Sequence, residues 1–108
     1  MTQRVAIVQL ARLLGKEEFY RHLSLAEGTE PPVLDAERLT ALRALVDERL
    51  GLFTEALAVE AVVSDDVIDA ASAKVYLEDR LTFFGDLLTE EQRQGVRKGF
   101  GRLVARWG

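Results

Sequence analysis

The sequence predicts an all-α, bundle-like fold: a long antiparallel helical hairpin with short N-terminal helices before it and a C-terminal helix after it. Three observations predict this. From Leu39 the apolar residues Leu42, Val46, Leu50, Phe53, Leu57 and Ala61 recur at steps of three and four, the spacing that lines one face of an α-helix. A second such row runs through Val67, Ala70, Leu77, Leu81, Phe84 and Leu88, interrupted by Lys74 alone. No segment alternates apolar and polar residues with the period of two that a half-buried strand requires.

The elements follow in order. A first helix spans about Gln3 to Leu14 and ends at Gly15, and a second, short one holds Glu17 to Leu25. Residues 26–34 form a linker, because Glu30-Pro31-Pro32 cannot propagate a helix and Ala26-Glu27-Gly28-Thr29 adds further breakers. Asp35 caps the first arm of the hairpin, whose apolar rows persist to Val63, with Gly51 a point of bending. Ser64-Asp65-Asp66 reads as a turn and a new helix start, the carboxylates favouring the positive end of the dipole. The second arm runs to Leu88. Thr89-Glu90-Glu91-Gln92 is a capping box, and the last helix continues to Arg106. The whole is one domain, with the hairpin at 35–88 and the basic helix at 89–108.

At 1.5 Å per residue the two arms would measure ~43 Å and ~36 Å, so they are expected to protrude. The first arm also carries a second apolar row, Leu45, Leu52, Ala56, Val59 and Val63. One partner helix cannot cover both rows. Either the remaining helices pack there or a second copy does, and a homodimer would centre on Leu50, Phe53 and Leu57.

Composition narrows the class of work. At 108 residues, 48% hydrophobic and 30% charged, the chain is one domain with enough apolar residues for a core. The absence of cysteine excludes disulfides, zinc-thiolate sites and thiol catalysis. Val5 to Leu14 is too short and too interrupted, by Gln9 and Arg12, for an export signal, and nothing reads as a membrane span. A cytoplasmic protein is expected, or a periplasmic one if a leader has been removed.

Charge is distributed unevenly. Residues 35–91 hold 14 acidic and 5 basic residues, whereas 92–108 hold Arg93, Arg97, Lys98, Arg102 and Arg106 and no acid. On a helix these cations stand at i, i+4 spacing and repel one another. They are expected to lie against the acidic hairpin. The alternative is that they form, with Trp107, a partner-binding surface. An overall charge of −4 favours a protein over nucleic acid as that partner.

No catalytic, metal or cofactor constellation is present in the sequence. His22 is the sole histidine, so neither a di-iron nor a zinc-protease motif can form within one chain. Glu18 and His22, at i, i+4, read as a surface ion pair, and Glu27 with Glu30 and Asp65, Asp66 and Asp69 as turn and capping residues. Ser24, Ser64, Ser72 and Tyr20 have no base partner apart from the proximity of Tyr20 and Ser24 to His22. Gly95, Gly99 and Gly101 make no phosphate loop, and Gly95 and Gly99 suit a close helix approach.

The run Leu88-Thr89-Glu90-Glu91-Gln92-Arg93 after a helical hairpin resembles the LTxxQ motif of the envelope-stress family of Spy/CpxP/CnrX-like helical hairpin proteins, over about residues 35–106. The resemblance implies an all-helical, dimeric, non-enzymatic protein, chaperone-like or stress-sensing, that acts on a protein partner. A second segment, Gln9-Leu10-Ala11-Arg12-Leu13-Leu14-Gly15 followed by Tyr20-Arg21-His22-Leu23, resembles helix-turn-helix DNA-binding motifs. It implies the alternative of a small DNA-binding regulator with the hairpin as its dimerisation element.

Overall fold

The computed structural model describes residues 2–26, 34–65, 67 and 69–106. Among these residues it contains six α-helices and no strand: α1 (Thr2–Leu14), α2 (Lys16–His22), α3 (Ala36–Glu48), α4 (Leu50–Asp65), α5 (Ala70–Phe84) and α6 (Glu90–Val104), with a 3-10 turn at Gly85–Leu87. The predicted all-α, bundle-like class is the observed one. The Glu30-Pro31-Pro32 linker, Asp66 and Trp107 lie outside the described residues.

The first arm is not one helix. Arg49, at φ −117° and ψ 24°, leaves the helical region and separates α3 from α4. Its N–H still donates to the Leu45 carbonyl and its own carbonyl accepts from Phe53, so a single residue interrupts the arm at little cost in hydrogen bonds. Leu42, Leu45 and Val46 of α3 and Phe53, Leu57 and Ala61 of α4 are all buried in one core.

The second arm is shorter than the apolar spacing predicts. Its cap is Asp69, whose carboxylate accepts from the Ser72 N–H at 2.7 Å, and not Ser64, since α4 continues through Asp65. It ends at Gly85, whose φ of +53° is a conformation open to glycine at little steric cost. Leu87 and Leu88 beyond it are buried in the turn.

The α4 and α5 arms are antiparallel, with Phe53 near the start of one meeting Phe84 at the end of the other; α5 and α6 form a second antiparallel pair, closed by the Gly85–Leu87 turn, and α4 makes its most extensive contacts with α6. In that pair Leu50 stands opposite Gly95 and Thr54 opposite Gly99, so the two helices run in the same direction. A Cβ at Gly99 would sit 3.1 Å from the Thr54 methyl, and one at Gly95 would sit 2.8 Å from a Leu50 methyl, which is why the close crossing needs glycine. The helix approach expected from these two glycines is thus observed. Thr54 is buried without an orphaned hydroxyl, because its Oγ1 donates to the Leu50 carbonyl at 2.8 Å.

The helices α1 and α2 close the other side, α1 against α4 and α5, α2 against α1 and α3. Ile7, Leu10, Leu14 and Phe19 join the core, where the Phe53 and Phe84 rings meet edge to face at 5.6 Å. The radius of gyration, 13.9 Å, is close to the ~13 Å of a packed domain of this length, so the arms do not protrude.

The polar anchor of this arrangement is Gln92, 3% exposed. Its Oε1 accepts from the Thr89 N–H at 2.9 Å while the Thr89 Oγ1 accepts from the Gln92 N–H at 3.1 Å, completing the capping box at the start of α6. Its Nε2 then donates to the Arg43 carbonyl at 2.8 Å and to Asp47 Oδ1 at 2.9 Å, both on α3. One side chain therefore starts α6 and fixes it to α3.

Candidate partner-binding surface

The helix α6 carries the cations singled out by the charge distribution, and packing divides them into two groups. Arg93 and Arg97, one turn apart, turn toward α5. Arg97 donates to both Glu78 oxygens, at 2.9 and 3.0 Å, and lies 3.7 Å from Glu90. Arg93 donates to the Gly85 and Leu88 carbonyls, each at 3.1 Å, and lies 3.4 Å from Glu90. These two arginines hold the α5–α6 hairpin together, as the expectation of an acidic neighbour requires.

Lys98, Arg102 and Arg106 form the second group. All three are exposed, and none makes an ion pair among the described residues. Lys98 and Arg102 stand one turn apart on α6, away from the buried Phe100 and Val104, and Arg106 follows in the turn after the helix. Arg102 and Arg106 do lie beside α4, in a groove lined by Leu50, Gly51, Thr54 and Glu55, but none of the three cations forms an ion pair with the acidic helices among the described residues. Helix geometry and the negative end of the α6 dipole make the row tolerable without a counter-ion. Trp107, the remaining residue of the predicted surface, lies outside the described residues.

The arginine bridge has a pH signature. Its hydrogen bonds hold the Glu78 carboxyl below its ordinary value of 4.5, outweighing the opposing effect of partial burial. A carboxyl depressed in the folded state contributes stability above its unfolded pKa and loses it as pH falls through the folded value. The bridge should therefore weaken below about pH 4.5. Glu78→Gln is expected to be less stable than the parent at pH 7 and to show a flatter loss between about pH 5 and pH 2 in urea titrations.

The proposed self-association residues are interior. Phe53 and Leu57 are 0% and 1% exposed within the single chain, and Leu50 is half-buried against Gly95, so internal helices cover this face and a second copy cannot use it. On α4 the exposed apolar residues are Leu52 at 52%, Val59 at 59%, Val62 at 43% and Val63 at 75%, whereas Leu45, at the head of the predicted second row, is buried; Val5, Val8 and Val75 are exposed elsewhere. The second row was visible in the sequence. That α6 would pack on α4 and leave Leu52, Val59 and Val63 outside was not.

Other candidates resolve into structural roles. Glu18 pairs with Arg21 instead of His22, and His22 Nε2 lies 3.0 Å from Glu48 on α3. Ser24, at φ +55°, is explained by the end of α2: Leu25 N–H donates to the Tyr20 carbonyl and Ser24 N–H to that of Arg21, the pattern of a helix terminated by a left-handed residue. Asp69 is a cap, and Glu27, Glu30 and Asp66 lie outside the described residues. No group of three or more His, Asp or Glu side chains among the described residues is placed to hold a metal ion. Nor is any described helix long and apolar enough to cross a membrane.

The two resembling segments also acquire geometry. In the LTxxQ-like run, Leu88 is core and Thr89 and Gln92 are the capping box, so this motif builds the fold. In the helix-turn-helix-like segment Gly15 alone separates α1 from α2, against a usual turn of three to four residues, and α2 has 7 residues with Glu17 and Glu18 in its first turn. Comparison with known proteins finds no matching family model, no matching curated protein and no matching solved structure.

Proposed function

We propose that this chain is a non-enzymatic helical interaction protein, an adaptor or chaperone-like binder, whose basic row on α6 engages an acidic helical segment of a protein partner. One observation carries the reading: of five cations at 92–106, the fold neutralises Arg93 and Arg97 and leaves Lys98, Arg102 and Arg106 exposed without an ion pair among the described residues. Unpaired like charges at one-turn spacing cost stability, and a helix bearing carboxylates at the same spacing would relieve all three contacts at once. The overall charge of −4 favours a protein over nucleic acid, and the LTxxQ resemblance implies the same kind of work. Self-association, if coupled to binding, belongs to the outer row Leu52, Val59 and Val63. Light scattering at micromolar concentrations reads it directly.

Fluorescence anisotropy tests the principal claim, using a labelled alanine-based helical peptide with Glu at i, i+4 and i+8. Its lysine counterpart and a random DNA duplex serve as comparisons. The glutamate peptide is expected to bind in a salt-sensitive manner, and Arg102→Glu with Arg106→Glu to weaken it roughly tenfold or more. Equal binding of both peptides, or no effect of the reversals, contradicts the proposal. Preferential binding of the duplex would favour the DNA-binding alternative.

A further inference from the structure

A groove of about 420 Å³ runs between α5 and α6, on a different side of α6 from the basic row. Its existence follows from side-chain size. Large residues, Leu77, Phe100 and Val104, form an apolar floor, while Ala73 and Gly101 leave the walls low where the two helices face each other. The lining spans two turns of each helix, ~12 Å of length. Volume and apolar character match small-ligand sites, which fall at roughly 300–1,000 Å³, whereas a partner helix ~10 Å across needs a wider seat.

The rim supplies the remaining chemistry. Glu78 and Arg97 close one end and satisfy each other through two hydrogen bonds. Lys74 stands one turn from Glu78 on the same lining, and it makes no ion pair among the described residues. Glu78 feels the Lys74 charge, yet its oxygens are taken by Arg97. The groove therefore offers an apolar trough with one uncompensated positive charge at its edge. Lys74 is the one charged residue interrupting the second apolar row of the sequence, which a purely structural face would not need.

We propose that the α5–α6 groove binds a medium-chain amphiphile with a single anionic head group, its chain over Leu77, Phe100 and Val104 and its head at Lys74. Burial of the chain supplies most of the affinity, and the cation selects the head-group sign.

Calorimetric titration with decanoate and with decyltrimethylammonium, both below their micellar concentrations, tests this on the full chain. The tails match and the charges are opposite. Saturable one-site binding of decanoate is expected, with the cationic amphiphile bound about fivefold more weakly or less. Lys74→Glu should invert that preference. Gly101→Leu should lower decanoate affinity roughly tenfold by filling the trough, and a Cβ there meets no atom within 4 Å, so the fold accommodates the change. Ala105→Leu, on the same lining, provides a second filling variant should the first lose its cooperative melt. Absence of saturable binding, equal affinity for the two head groups, or full decanoate affinity in a folded filling variant would overturn the proposal.

Discussion

Gln92→Leu is expected to lower stability by about 2–4 kcal/mol and the melting temperature by roughly 10 °C or more. Two losses combine. Opening half of the capping box costs about 1 kcal/mol of helix initiation at α6, because the Thr89 N–H loses the Gln92 Oε1 acceptor while the Thr89 Oγ1 still accepts from the backbone N–H of residue 92. The half-buried Arg43 carbonyl then loses its side-chain donor, at about 1–3 kcal/mol if it is not rehydrated, while the exposed Asp47 exchanges the amide for water. Leucine matches glutamine closely in size, so the loss reports the hydrogen bonds and not a cavity. Thr89→Ala breaks the cap alone and should cost about 1 kcal/mol. Chemical denaturation of the two variants separates the cap from the α3–α6 tie.

Gly99→Leu is expected to cost a further-reaching ~2–4 kcal/mol, by forcing α4 and α6 apart where Thr54 packs on Gly99. Leucine improves intrinsic helix propensity by ~0.8 kcal/mol, so the measured loss understates the crowding. The Thr54 methyl at 3.1 Å is the obstacle, and Thr54→Ala in the same chain should recover part of the loss, giving a non-additive pair. Gly101→Ala, two residues on and facing open space, should instead raise stability by up to ~1 kcal/mol. Opposite signs from two glycines of one helix would distinguish interhelical crowding from propensity.

What the sequence disclosed depended on range. Asp35 with Arg38 and Thr89 with Gln92 were legible because each pair of groups lies within one helical turn. The break at Arg49 was not, since one non-helical residue barely disturbs the phase of the apolar row, and Gly51 hinted only at a bend nearby. The end of α5 was hidden for a related reason: Leu87 and Leu88 must be buried whether or not the chain is helical there, so apolar spacing ran on past Gly85. In the candidate surface, composition located the five cations. The assignment of Arg97 to the fold rests on Glu78, 19 residues away and on another helix, a contact that only the tertiary arrangement supplies. The coverage of Phe53 and Leu57 by internal helices was one of two possibilities left open by the apolar pattern, and the tight α4–α6 crossing at Gly95 and Gly99 decides it.

The proposed division of the basic segment sets Arg97, bonded to Glu78, against Arg102 and Arg106, which make no ion pair among the described residues. Thermal unfolding of Arg97→Glu beside Arg102→Glu/Arg106→Glu tests it most directly, at low and at high salt. The double reversal is predicted to melt within about 2 °C of the parent, or above it through relief of repulsion, while Arg97→Glu melts clearly lower because it sets a carboxylate against Glu78 and Glu90. A double reversal that destabilises the protein as much as Arg97→Glu does, with salt blunting the loss, would show those two cations to be part of the fold and contradict the assignment of the row to a partner.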